Sequence, residues 1–371
     1  MKVSCTKENL NRGLGIVSHM VGTRTTLPVL NNILLKTEKG RLKLSATDLE
    51  IGISTWIGAK VDADGAITIP ARLIAEFTST NTDKTIILEL KDTTLNLKSE
   101  HFKANIKGIE ASEFPLIPEV KNETIIELKA AEFRDAIIKT VFAAAIDETR
   151  PVLAGIYIVV KDGKLKMVST DSYRLAEKTL NVLSASTKNA SVKSMIVPAR
   201  TMSEIGRLID ESIDKVEIKV GENQVEFKLG PTIVVSRLVE GSFPDYEQII
   251  PKEIKTKAEL NTAEFASAIK MASFFARESA NNVKFILKKP GTIQVVAVSP
   301  QVGDNTSDLV ANIEGDELEI AFNAKFIMDV LNVINAEKVD LELAGPLAAG
   351  LLRPATDKNY LYIIMPLRMD E

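Results

Sequence analysis

Two Thr-Asp pairs stand where acids could act on a substrate. Asp48 closes the run GRLKLSATD and Asp171 closes GKLKMVSTD. General acid–base chemistry needs two carboxylates that converge on one substrate with separated pKa values. The same spelling also has a plainer reading, because an Asp at the end of a strand caps nearby backbone N–H groups and makes a turn. Little else in the chain could support catalysis. Cys5 is the single cysteine, so neither an intrachain disulfide nor a thiolate metal cage can form. His19 and His101 are the only histidines, which leaves almost no material for transition-metal sites or for Ser-His-Asp and Cys-His arrangements. There is no GxxxxGK(S/T) or GxGxxG phosphate loop and no HExxH helix. The expectation is a protein that is not an enzyme and that carries no metal or other cofactor.

A repeat positions the two acids. They lie 123 residues apart, and the same offset relates LPVLNNILL (27–35) to RPVLAGIYI (150–158). Upstream, Leu10, Leu14, Val17 and Val21 recur at helical spacing, as do Phe133, Ile137, Val141 and Ala144. A third stripe runs through Phe265, Ile269, Ala272 and Ala276, followed by TIQVVAVSP, where Ser299-Pro300 replaces Thr-Asp. Proline can serve a turn but not as an acid, which favours the turn reading. The second half of each unit also recurs, as ITIPARLIAEF, MIVPARTMSEI and IAFNAKFIMDVL. Pro70 and Pro198 are expected at the first helical position, and Asn323 as a cap. The fold class is therefore α+β, three units at 1–121, 122–253 and 254–371, each with two amphipathic helices and antiparallel strands. The predicted helices cover 7–22, 71–80, 130–145, 199–210, 262–277 and 323–334.

No apolar run is long enough to span a bilayer and no signal-peptide pattern opens the chain, so a soluble cytoplasmic protein is expected. The net charge of -4, from 46 basic and 50 acidic side chains, argues against holding nucleic acid by bulk attraction. The predicted helices nonetheless carry ten basic and eight acidic residues. Arg72, Arg200 and Lys325 take the same place in all three copies, in a first helical turn where the macrodipole disfavours a cation. A charge repeated against its local preference points to an anionic partner, and phosphates bind such groups without reading sequence.

LPVLNNILL, ATDLE, STDSYRLA, SFPDYEQIIP and the terminal YIIMPLRM, in this order over the whole length, resemble the beta sliding clamp family, the beta subunits of bacterial DNA polymerase III. The resemblance implies a head-to-tail homodimer closing a ring around double-stranded DNA, with helices lining the hole and sheets outside. It implies a processivity factor that tethers the replicative polymerase, the clamp loader and repair and translesion polymerases by short peptides. The cleft it implies involves Leu153, Thr170, Ser172, Tyr173, Arg174, Leu175, Pro244, Ile249, Asn323, Phe326, Leu347, Ile363, Met365, Pro366, Leu367, Arg368 and Met369. A plainer reading of Leu175, Ile249 and Ile363 is core packing.

For DNA the resemblance points to Arg24 and Arg200, and the repeat adds Arg72 and Lys325. For the protomer interface, Ala104, Ile106, Phe274 and Phe275 are the expected positions. Ser172-Tyr173 departs from the family's usual small residue followed by His. Gln248 replaces an arginine of some members, Asp370-Glu371 extend past the usual end, and Pro151-Val152 replace aromatic DNA contacts. Two rival readings remain at this stage, a hydrolase built on Asp48 and Asp171 and a peptide scaffold without a DNA role.

Overall fold

The structure is a computed structural model describing residues 1–22, 27–120, 124–147, 149–187 and 193–368. Arg24, Met369 and Asp370-Glu371 lie outside the described residues. Among the described residues no helix is long and apolar enough to cross a membrane.

Among the described residues, six α-helices form where the periodicity predicts them: α1 (Lys7–Val17), α2 (Ala71–Thr80), α3 (Ala130–Val141), α4 (Ala199–Leu208), α5 (Thr262–Ala276) and α6 (Ala324–Leu331). Several end earlier than expected. In α1 the Ser18 hydroxyl donates to the Leu14 carbonyl at 2.6 Å and the chain tightens into a 3-10 turn, Ser18–Met20. Val21 therefore falls beyond the helix it was expected to line. The two prolines also stand one position earlier than expected. Pro70 and Pro198 end the strands Ala66–Pro70 and Lys193–Pro198, and each helix begins at the next residue, an alanine. With no N–H of its own, a proline at that point ends the ladder without stranding a donor. Asn323 does cap α6, its side-chain oxygen accepting from the Lys325 N–H at 2.9 Å.

The helices bury the stripes read from the sequence. Leu10, Leu14 and Val17 of α1 are buried, as are Phe265, Ile269, Ala272 and Ala276 of α5. Phe265 meets Phe285 edge-on at 6.1 Å, and Phe285 meets Phe322 at 5.7 Å. Each buried aromatic ring contributes about 1.5–3 kcal/mol from area alone. One turn into each stripe the repeat needs a small residue. A Cβ on Gly13 would lie 2.9 Å from Ile57 Cγ2, and Ala136 and Ala268 are buried at the equivalent places.

All described strand pairs are antiparallel, and the chain divides into two compact units. One comprises 1–131, 183–191 and 207–238 and holds a five-stranded and a nine-stranded sheet. In the nine-stranded sheet the strand Thr232–Arg237 of the second repeat pairs with Ile51–Ile57 of the first. Their Thr232 and Thr55 hydroxyls bond at 2.9 Å. The other unit comprises 132–182, 192–206 and 239–371 and is built on one twelve-stranded sheet. There the strand Arg174–Asn181 of the second repeat pairs with Tyr360–Ile364 of the third, Leu175 opposite Ile363. The second repeat thus gives strands to both units.

Ionic contacts reinforce the second of these seams. Lys139 of α3 and Lys178, both nearly buried, share Asp357 at 3.4 and 2.5 Å, and the Tyr360 hydroxyl donates to the Lys139 carbonyl at 3.0 Å. Burial alone would raise the Asp357 carboxyl, but the hydrogen bond and charge of Lys178 outweigh it and hold the group below its ordinary value. A carboxyl lowered in the folded state adds stability that is complete above about pH 4 and is lost as pH falls through the lowered value. Asp357→Asn should therefore narrow the difference between urea midpoints measured at pH 7 and pH 3.

Cys5 sits in the strand Lys2–Thr6, and burial pushes its thiol up to about 12. Because the thiolate is the reactive form, a chromogenic thiol reagent at pH 8 should find no reactive thiol in the native protein. In denaturant the same reagent should find one per chain.

Candidate partner-binding cleft and helix-start cations

The two Thr-Asp pairs form the same turn. Asp48 Oδ1 accepts from the N–H groups of Glu50 and Ile51 at 3.1 and 2.8 Å, and Asp171 Oδ1 accepts from those of Tyr173 and Arg174 at 2.9 and 3.0 Å. Thr47 and Thr170 accept from the N–H two residues on and donate to the carbonyl four residues on. Leu49 and Ser172 both adopt positive φ, 78° and 80°. In the third copy Ser299 Oγ accepts from the N–H groups of Gln301 and Val302. The acids are turn formers in separate repeats, as the plainer reading of the sequence has it.

The two turns lead into different surroundings. Arg174, next after the second, is buried, and its guanidinium reaches three groups: Asp171 at 3.1 Å, Asp329 of α6 at 2.5 Å and the Phe142 carbonyl at 2.8 Å. It also lies over the Phe326 ring at 4.5 Å. The Tyr362 hydroxyl donates to the Phe326 carbonyl at 2.9 Å, so strand, turn and α6 are held as one body. Beyond Ile364 the chain continues across the turn. The Met365 N–H donates to the Tyr173 carbonyl at 2.9 Å and the Leu367 N–H to the Ala321 carbonyl at 2.8 Å.

The segment 243–250 straps one face of the twelve-stranded sheet. Phe243 stacks on Tyr157 at 5.0 Å, and buried Tyr246 donates to Glu177 at 2.8 Å. Burial, then the neighbouring Glu177 charge, drive the Tyr246 hydroxyl far above its ordinary pKa, so it stays a donor. Beneath the strap lies a small apolar cluster that includes Leu175 and Ile363.

The structure sorts the sequence candidates by depth. Leu175 and Ile363 are fully buried, in keeping with their plainer reading as core, while Leu153, Thr170 and Arg174 are nearly so. Tyr173, Ile249, Leu347 and Met365 expose between 38 and 75% of their surface, and Ser172, Pro244 and Arg368 are exposed beside them. Asn323, Phe326, Pro366 and Leu367 are half-buried. The sequence reading missed Phe142, Tyr157, Phe243, Tyr246 and Asp329. The aromatic spacing in SFPDYEQIIP is a signal for two of them, whereas nothing local marks Asp329 as the partner of Arg174.

Arg72, Arg200 and Lys325 are exposed in the first turns of α2, α4 and α6. Arg72 is in addition paired with Glu76 one turn on, at 2.7 Å. Among the interface candidates, Ala104 and Ile106 lie on Lys103–Lys107, an edge of the five-stranded sheet beside a recess of about 470 Å³ shared with Leu73 and Phe77. Phe274 is exposed, while Phe275 is half-buried against the third repeat's core. Residues 303–310 of the strand Gly303–Gly315 pair with Thr292–Ser299 on one side only, among the described residues.

Three sequence models of one family tile the chain: DNA polymerase III beta subunit, N-terminal domain at 1–118, central domain at 127–245 and C-terminal domain at 247–368. The chain belongs to this family. A beta sliding clamp of Staphylococcus epidermidis is 31% identical over 358 residues, covering 94% of each chain, and one of Staphylococcus aureus is 30% identical over the same span. The crystal structure of the DNA polymerase sliding clamp from Bacillus subtilis matches with a TM-score of 0.95 at 29% identity, covering all of both chains. The DNA polymerase III subunit beta from Pseudomonas aeruginosa matches at 0.94 and 28%, again over both full chains. In this chain, then, the three copies of the sequence repeat match the family's three domains.

Removing the Arg174 guanidinium leaves Asp171, Asp329 and the Phe142 carbonyl without their shared donor. Arg174→Met should cost about 2–4 kcal/mol, read as a lowered urea midpoint. Asp329→Asn, which keeps the shape at a half-exposed site, should cost less.

Proposed function

We propose that two copies of this chain close head to tail around duplex DNA, and that the surface beside the Asp171 turn captures short peptides from the proteins that the ring tethers. A sliding clamp is a processivity factor and not an enzyme, and the repeated acids have turn roles consistent with that. The observation that carries the reading is the correspondence with clamps along all three matched domains, 1–118, 127–245 and 247–368.

The replicative polymerase, the clamp loader and repair and translesion polymerases are the peptide-bearing partners in this reading. Exposed Tyr173, Ile249, Leu347 and Met365 around a rigid turn support it, since a short peptide needs apolar anchors with a few polar groups. Methionine lets the surface adapt to several sequences. Buried Arg174 acts by holding the turn against α6, and Leu175 and Ile363 support the floor from beneath. Met369 completes the set from outside the described residues.

The DNA contacts in this reading are Arg72, Arg200 and Lys325, with Arg24. Weak phosphate contacts suit a ring that must slide, and an acidic whole limits the grip. The edges at Lys103–Lys107 and 303–310 would pair between copies, continuing the sheet and removing two open edges. Ala104, Ile106, Phe274 and Phe275 would pack alongside. We assign the domains to 1–121, 122–253 and 254–371 and place the protein in the cytoplasm, where bacterial DNA is copied.

Retention on DNA tests the closed ring. Protein loaded on nicked circular DNA should stay bound and should be released when the DNA is linearised. Equal retention on both forms would overturn the reading. Reversing Arg72, Arg200 and Lys325 together should reduce retention and flatten its salt dependence while peptide binding is unchanged.

A further inference from the structure

The seam between the first and second repeats carries a recess built on the same plan as the cleft at the second seam. Asp48 N–H donates to the Ile51 carbonyl at 3.2 Å, as Asp171 N–H does to the Arg174 carbonyl at 3.4 Å. Arg237 N–H donates to the Glu50 carbonyl at 3.1 Å, as Met365 N–H does to the Tyr173 carbonyl. Turn, strand end and crossing hydrogen bond therefore correspond residue by residue, Arg237 standing where the second seam has Met365. A proline-bounded strap, 115–118, forms the third wall, in the place of 243–250. Together these enclose about 600 Å³ lined by Leu49, Leu116, Pro118, Gln224 and Arg237, among others.

Three differences set what this recess can hold. Gly52 stands where the second seam has Leu175. A Cβ there would lie 2.8 Å from Ile117, so the absence of a side chain lets the strap settle onto the sheet. Leu116 of the strap is consequently turned outward and 90% exposed, with Leu49 52% exposed. Arg237 is exposed at the rim of the recess, which Asp48 and Glu50 also line, Asp48 Oδ1 being taken up by the N–H groups of its own turn. Apolar surface from two leucines beside the exposed Arg237 fork of N–H donors matches an apolar side chain followed by a carboxylate placed on the Arg237 side, away from Glu50.

The geometry points to a second peptide-docking site at this seam, for a short extended segment of another protein that carries an apolar residue next to an acidic one. The inference rests on the peptide-capture reading of the second seam, from which the equivalence is drawn. It differs from that reading in chemistry: the second seam offers a methionine where this one offers an arginine.

Calorimetric titration with a short synthetic peptide carrying a leucine and a glutamate tests the site. The controls are its glutamine twin and a leucine-rich peptide without acids. The expected result is two glutamate peptides bound per chain. Arg237→Glu should weaken one of them by about tenfold or more, Arg237→Lys should weaken it less, and the glutamine twin should lose the same site. Ile249→Asp should remove only the other. Urea melts matching the parent would show that these exposed substitutions leave the fold intact. One bound peptide, sensitive to Ile249→Asp and indifferent to Arg237→Glu, would overturn the second site and leave the first reading standing. Binding that depends on Arg237 alone would support the second site and overturn the first, and no binding by any peptide would overturn both.

Discussion

A strand edge left open must be paired, and the rest of this structure depends on how that constraint is met at the two seams between repeats. Each of the first two repeats supplies one strand whose free edge is taken up by the next: Ile51–Ile57 by Thr232–Arg237, and Arg174–Asn181 by Tyr360–Ile364. Backbone hydrogen bonds make these joints directional and fix the register, because a slip of one residue would turn every side chain to the wrong face. The two compact units consequently group strands from different repeats, so the repeat is the unit of sequence and the seam the unit of packing.

The seams are also where the functional surfaces arise. A tight turn precedes each joining strand, and a Thr-Asp pair gives it rigid geometry by satisfying the local N–H groups. At the second seam Arg174 converts that turn into a platform by reaching Asp171, Asp329 and the Phe142 carbonyl at once. A buried guanidinium is costly without full pairing, and the three contacts supply it while binding elements distant in sequence. At the first seam Ile51 occupies the equivalent position, and its hydrocarbon side chain offers no donor for such a tie. The same backbone plan thus carries a braced apolar surface in one place and a recess with a cationic rim in the other.

Much of the fold was legible in the residues. The helical stripes at Leu10, Phe133 and Phe265 lie on buried faces, and the Asp48 and Asp171 turns arise from local hydrogen-bonding chemistry that any strand end would show. The two prolines stand just before their helices and not inside them, because a proline can end a ladder as readily as it opens a helix, and pairing with Asn32 decides the case at Pro70. At the cleft, the residue types were legible but their depth was not. Leu175 and Ile249 look alike in a sequence, yet one is fully buried and the other exposed.

The sequence by itself determined the three-fold repeat, the two helices and alternating strands of each copy, and the scarcity of catalytic material, because all of these are local in spacing or composition. Tertiary structure alone decided that Asp329 and the Phe142 carbonyl complete the pairing of Arg174, that Tyr246 anchors the strap to Glu177, and that Arg72 is already paired with Glu76. The first two depend on approach across 155 and 69 residues of chain, which no local pattern encodes. The third lies one helical turn away and was within reach of the spacing, but only the side-chain geometry shows that the contact is made.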